Sequence, residues 1–118
     1  MTRRCAIVGV GETKCATHRN ELDGPGMVSE AVNNALADAD LTIDDIDAVI
    51  FGQAPDAFTG VANGEKWCSS AAGALHKPMM RVHTGGATGT AAAICGFTHV
   101  ASGLFDTALV VSYERIKE

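Results

Sequence analysis

Two glycine-rich segments, four histidines, four cysteines and a few loop carboxylates are the residues of this chain that could do chemistry. Gly9-Val10-Gly11 follows an apolar run and begins like a dinucleotide fingerprint. Lys14 stands where a third glycine would fall, and roughly fifteen residues of loop follow instead of a helix start, so a plain turn is expected. Thr84-Gly85-Gly86-Ala87-Thr88-Gly89 lies between an expected strand and an expected helix. Free backbone N–H groups at such a helix start attract an anion or oxyanion, and glycines let a ligand approach the backbone. The same glycines are equally consistent with tight strand-to-helix packing and nothing more.

His18, His76, His83 and His99 share no metal-ligand spacing. His83 ends an expected strand beside the glycine turn, where open α/β sheets place their ligands, and a satisfied, partly buried ring is the alternative. His76 and His99 read as solvated or structural. Asp56, Glu65 and Asp106 are loop carboxylates with no partner visible in the sequence. Cys5, Cys15, Cys68 and Cys95 form no CxxC or Cys/His cluster and are expected to be reduced and mostly buried, so no metal site is expected.

The elements that must position these groups follow from the apolar patterning. The chain has 118 residues, 47% of them hydrophobic and only 5% aromatic, which bounds it to one domain (residues 1–118) with a core of Ala, Val, Ile and Leu. A net charge of −5, with Thr2-Arg3-Arg4 as the only basic cluster, argues against nucleic acid or an anionic membrane as partner. No stretch has the length of a membrane span, and Met1 to Arg4 runs straight into the first apolar run with no long apolar leader, so a cytoplasmic location is the default expectation.

Cys5–Val10, Ala48–Gly52, Met79–His83 and Thr107–Ser112 are short apolar runs expected as strands buried on both faces. Met27, Val28, Ala31, Val32, Ala35, Leu36 and Ala39 share one face of an expected helix. Trp67–Leu75 reads as a short helix, and residues 53–65 as a loop. Thr90–Ser102 reads as a helix apolar nearly all round, hence buried on most sides and closed by Gly103, with Tyr113–Glu118 as a charged tail. Alternating strands and helices predict an α/β fold, a βαβαβαβ unit with a mostly parallel sheet and helices on both faces. The run ends directly after a strand, which suggests an incomplete unit whose edge awaits a partner or a continuation.

Four segments carry a family resemblance. Ala6–Lys14, Ser29–Leu41, Asp44–Gly52 and Ala101–Val111 in this order resemble thiolases of the sterol-carrier/lipid-transfer-protein type across almost the whole chain. The resemblance implies the N-terminal part of a doubled thiolase fold acting on acyl-CoA thioesters, with no cofactor beyond the CoA substrate. It also implies a homo- or hetero-oligomer that pairs thiolase-like chains around Met79–Thr84 and Thr90–Ser102, and for some relatives a small OB-fold partner.

In that family a Cys-Ala-Ser/Thr-Gly segment precedes the buried helix, and its cysteine accepts the acyl group. The matching residues here are Gly86-Ala87-Thr88-Gly89, so the nucleophile is replaced by glycine. Cys95 is nine residues further along, more than two helical turns away, and does not substitute. The Gly-His-Pro and Cys-Gly segments of the family's C-terminal half are not in these 118 residues. Two functions follow from the resemblance. One is retro-aldol or acyltransfer chemistry completed by another polypeptide, with His83 to Gly89 as the substrate and oxyanion turn. The other is a non-catalytic assembly module.

Overall fold

The computed structural model describes residues 3–115. Helix α1 spans Gly24–Ala39, strand β1 Ala48–Gly52, helix α2 Gly64–Cys68, strand β2 Met79–Val82, helix α3 Thr88–Ala101 and strand β3 Ala108–Ser112. The three strands form one parallel sheet in the order β2-β1-β3. Val49 pairs with Met79 and Leu109, and Phe51 with Arg81 and Val111. All five residues of β1 are buried, because the central strand is covered along both edges and both faces.

Alternate positions feed two cores. Val49, Phe51, Leu109 and Val111 pack with Val28 and Val32 of α1, and with Cys68, Ala72 and Tyr113. On the other face α3 lies close enough for a Cβ on Gly52 to stand 3.1 Å from Ala92 Cβ, and one on Gly96 to stand 2.3 Å from Val110 Cγ2. Gly96 therefore sets the distance between helix and sheet. Helix α1 starts where Asp23 caps it by accepting from the Gly26 N–H at 2.8 Å, with Pro25 in its first turn. It ends at Asp40, whose φ of 54° is left-handed. Gly103, with φ of 80°, follows α3 in the capping role that its position predicts.

The expected strand Cys5–Val10 is not formed. Ile7, Val8 and Val10 are 87%, 64% and 69% exposed. β1 already has a neighbour on each side, so no interior slot of the sheet is open to this run. It lies instead on α1. Added Cβ atoms would stand 2.6 Å from Ala39 Cβ at Gly9 and 2.5 Å from Ala31 O at Gly11. Two glycines thus bring backbone onto a helix face of alanines. The Val10 N–H donates to Asp38 Oδ2 at 2.8 Å and the Lys14 N–H to Glu30 Oε1 at 2.9 Å. Arg19 pairs with Glu30 and Glu21, which hold its guanidinium firmly charged.

Three further expectations are corrected. The helix expected over Trp67–Leu75 is α2 at Gly64–Cys68, and turns follow from Ser69 to Gly73. Small residues let the chain leave the helix after one turn and place Ala72 and Ala74 in the core. Helix α3 is not buried on most sides: Thr88, Ala92, Gly96 and Ala101 face inward, while Ile94 and Phe97 are 57% and 56% exposed. Only one face of this helix meets the sheet. Tyr113 is buried and Glu114 and Arg115 bond to the body of the fold, so the expected tail is docked at least through Arg115. Residues 1, 2 and 116–118, which include Thr2 of the basic start and the end of that tail, lie outside the described residues.

The cysteines are less buried than expected. Cys68 is buried, Cys5 and Cys95 are half-buried and Cys15 is exposed, all of them free. Cys5 and Cys15 fall on the segment that stays outside the sheet, and Cys95 sits on the half-covered helix. Among the described residues no helix is long and apolar enough to cross a membrane.

Candidate functional site

The carboxyl ends of the three strands converge on one polar region, the position at which open parallel sheets bind ligands. β1 continues into Gln53 and Ala54, whose N–H groups donate to Val82 O at 3.2 Å and to Glu114 Oε2 at 2.9 Å. β2 continues into His83 and the glycine turn. β3 continues into Tyr113, whose N–H donates to Gly52 O at 2.9 Å.

The glycine turn is a 3-10 turn, Gly85–Ala87, leading directly into α3. Thr88 fastens it: its buried hydroxyl donates to Gly85 O at 2.6 Å and accepts from the Thr84 N–H at 3.1 Å. The Thr88 N–H also bonds to Gly85 O. Two amides of the turn are therefore committed internally. Gly85 holds a φ of 66°, a conformation that glycine adopts without strain. A Cβ placed at Gly85 or at Gly86 would meet nothing within 4 Å. Tight packing thus does not explain either glycine, and the space in front of them is open. His83, Thr84, Gly86, Ala87 and Gly89 are exposed, Gly85 is half-buried and Thr88 is buried.

Thr88→Val keeps the shape and removes both hydroxyl bonds. The expected cost is about 1–3 kcal/mol, because Gly85 O and the Thr84 N–H lose their shared partner. Chemical denaturation checks it, and an unchanged midpoint would contradict the fastening role.

Beside the turn lies a cluster that the sequence did not reveal as a unit. Arg81 reaches Asp56 Oδ1 at 2.6 Å, Glu65 Oε2 at 2.8 Å and Ala54 O at 2.9 Å. Burial alone would favour the neutral form of Arg81, but the two carboxylates reverse that and hold the guanidinium charged. Asp56 Oδ2 accepts from the Asn63 N–H at 3.1 Å, and this bond, with Arg81, keeps the Asp56 carboxyl below the usual carboxylate range. The side chain of Gln53 is fully buried against Gly64, where a Cβ would stand 2.1 Å from Gln53 Oε1. Pro55, Asp56, Arg81 and His83 line an open hollow of about 280 Å³.

The depressed Asp56 pKa has a sign. A carboxyl whose folded value lies below its unfolded value stabilises fully above the unfolded value and loses that contribution as pH falls through the folded one. Acidification below about 3.9, the ordinary aspartate value, should therefore loosen residues 53–65 before the sheet melts. Amide exchange at Asn63 should accelerate there more than exchange at Ile50. Equal acceleration would refute the local effect.

The other candidates are structural. Burial pushes the Cys68 thiol up to about 11, so it is no nucleophile at neutral pH. His99 Nδ1 lies 2.7 Å from Cys95 O, and its ring stacks on Phe105 at 5.7 Å. His76 occupies an exposed left-handed turn with φ of 61°. Asp106 pairs with Arg3 at the amino ends of the strands, and a larger open hollow of about 390 Å³ there is far from the glycine turn. Among the described residues no group of three or more His, Cys, Asp or Glu is arranged to hold a metal ion.

The structure places His83 beside the exposed glycine turn, while the sequence reading did not single out Arg81 or Gln53 and left Asp56 and Glu65 unpartnered. A lone arginine inside an otherwise apolar strand was the available signal for Arg81.

Three comparisons with known proteins bear on this site. Sterol carrier protein 2 of Gallus gallus is 32% identical over 122 residues, covering 98% of this chain and 21% of that protein. The chain thus spans about one fifth of the length of the curated relative it matches. The solved structure of 3-oxoacyl-(acyl-carrier-protein) synthase III from Aquifex aeolicus VF5 superposes with a TM-score of 0.64 at 17% identity, over 79% of this chain and 30% of that one. A family model, TsaD, described as tRNA N6-adenosine threonylcarbamoyltransferase, matches residues 27–118. It disagrees with the other two and is unrelated to the fold they indicate. It omits the N-terminal segment, whereas the Gallus gallus relative aligns over 98% of the chain. Work on tRNA also calls for a basic face, and this chain carries a net charge of −5.

Proposed function

We propose, on the premise that this chain is a thiolase-like protein, that it contributes the glycine turn to a site that makes or breaks a carbon–carbon bond in an acyl-CoA thioester. The observation that carries this reading is Gly86, an open position at the start of α3 where the family resemblance implies a cysteine. Covalent acyl transfer through that position has no nucleophile. What remains is stabilisation of a thioester oxygen by backbone amides and the helix N-terminus, which, once a base takes the hydroxyl proton, supports retro-aldol cleavage of a β-hydroxyacyl-CoA without an acyl-enzyme.

The remaining catalytic groups come from a complementing polypeptide, a second thiolase-like chain with or without a small OB-fold protein. No cofactor is required beyond the CoA thioester, and the reaction is placed in the cytoplasm. Incubating the chain and its complementing polypeptide with a β-hydroxyacyl-CoA should release a ketone or aldehyde plus a shorter acyl-CoA. Absence of both products with every assembled partner would overturn the reading.

The exposed apolar face of α3, with Ile94 and Phe97, favours a second reading as a non-catalytic assembly module. Light scattering separates the two contributions. A monomer at high concentration, alone and with partners, would exclude assembly.

A further inference from the structure

All buried side-chain nitrogen and oxygen atoms without a hydrogen-bond partner among the described residues belong to Gln53, Asp56 and Arg81. They are neighbours. Arg81 contacts Asp56, Glu65 and Ala54, and Gln53 packs on Gly64, the residue before Glu65. Asp56 Oδ1 stands 2.6 Å from Arg81 Nη1, a close ion contact that lies outside hydrogen-bond geometry. Buried polar atoms are paired in folded proteins almost without exception, so four orphans in one place point to a group that completes them.

The chemistry of that group follows from the inventory. Gln53 Nε2 and Arg81 Nε are unused donors, while Gln53 Oε1 and Asp56 Oδ1 are unused acceptors. Arg81 is outnumbered by Asp56 and Glu65, and Glu114 lies behind Ala54, so the local charge repels an anion such as phosphate. A neutral group that both donates and accepts fits. Of the three residues, Asp56 and Arg81 line the open hollow together with the exposed His83, whereas the buried Gln53 does not, and His83 is close enough to Asp56 for the two to interact electrostatically.

We propose that this hollow is a hydroxyl-binding subsite, taking the β-hydroxyl of the acyl thioester, with His83 as the group that accepts its proton. The inference rests on the acyl-thioester reading above. A neutral His83 ring nitrogen takes the hydroxyl proton, the oxygen forms a carbonyl, and the Cα–Cβ bond breaks. Its electron pair passes to the thioester as an enolate held at the glycine turn. The proton on His83 then moves to Cα, giving a ketone or aldehyde and the shortened acyl-CoA, with His83 neutral again. No oxidant or reductant enters.

The test uses the chain assembled with its complementing polypeptide and two probes, 3-hydroxybutyryl-CoA and butyryl-CoA. Calorimetry should show wild type binding the hydroxylated probe about tenfold more tightly, and His83→Gln or Asp56→Asn losing that preference. Turnover of the hydroxylated probe should fall about a hundredfold or more in His83→Gln, as removal of a general base requires. Equal affinity of wild type for the two probes, or an unaltered His83→Gln, overturns the subsite even where turnover proceeds. A preference that the variants abolish, without turnover in wild type, upholds the subsite and overturns the cleavage reaction. Binding of neither probe overturns both. His83 is exposed, so the Gln variant should fold, and far-UV circular dichroism confirms it.

Discussion

In Gly86→Cys the introduced thiol is alkylated by iodoacetamide at pH 7 about tenfold faster than the exposed Cys15 of the same chain. Three observations lead to this expectation. The position is free of neighbours, since a Cβ there meets nothing within 4 Å. Its φ lies outside the left-handed region, so a side chain causes no backbone strain, and replacing glycine also restricts the unfolded chain. It lies in the 3-10 turn that opens α3, where the positive end of the helix favours a thiolate. Peptide mapping by mass spectrometry assigns the rates, with Cys68 as the slow internal standard because burial raises its pKa. A rate equal to that of Cys15 would show that the turn gives no electrostatic activation, which would also remove support for an oxyanion there. Incubation with acetyl-CoA extends the experiment, since a mass increase of one acetyl group at that position would show that the turn presents a thioester to residue 86.

Phe51→Ala is expected to cost about 3–5 kcal/mol, a large share of the about 5–15 kcal/mol that ordinarily keeps a domain folded. Phe51 is 0% exposed in the central strand, paired with Arg81 on one side and Val111 on the other, and it packs in the same core as Val28 and Val32 of α1. No smaller residue fills that volume, and β1 cannot move because both of its edges are bonded. Since Phe51 shares its register with Arg81, the damage should extend to the polar cluster as faster amide exchange at Gln53 and Ala54. Urea denaturation of the variant against Phe58→Ala gives the comparison. Phe58 is 49% exposed, and its truncation should stay within about 0.5 kcal/mol. A similar loss in the two variants would refute the central placement of Phe51.

Much of this protein is decided locally. Ala48–Gly52 is a strand between the very residues that its apolar run marks, and the helix that Met27 to Ala39 predicts begins three residues earlier, where Asp23 can cap it and Pro25 can start it. The glycine turn, its place before α3 and the glycine at position 86 are likewise visible in the chain, because composition and short-range periodicity fix local conformation. His83 falls at a strand end for the same reason. The clustering of polar groups around it does not follow from any local rule. Arg81, Asp56 and Glu65 are 25 and 16 residues apart in sequence, and only the parallel register that sets Phe51 opposite Arg81 brings the arginine to the loop after β1.

The same non-local pairing explains two of the expectations that failed. An apolar run such as Cys5–Val10 records a capacity for burial, not a partner, and β1 bonds to β2 and β3 instead. The apolar face of α3 likewise records a capacity to be covered, while a single sheet can cover only one side of a helix. The sequence by itself determined α1, β1, β2, β3 and the glycine turn with its glycine at position 86. Tertiary structure decided which strands pair, which apolar surfaces stay exposed and which charges meet at the carboxyl end of the sheet, because those outcomes depend on contacts between segments that no local pattern encodes.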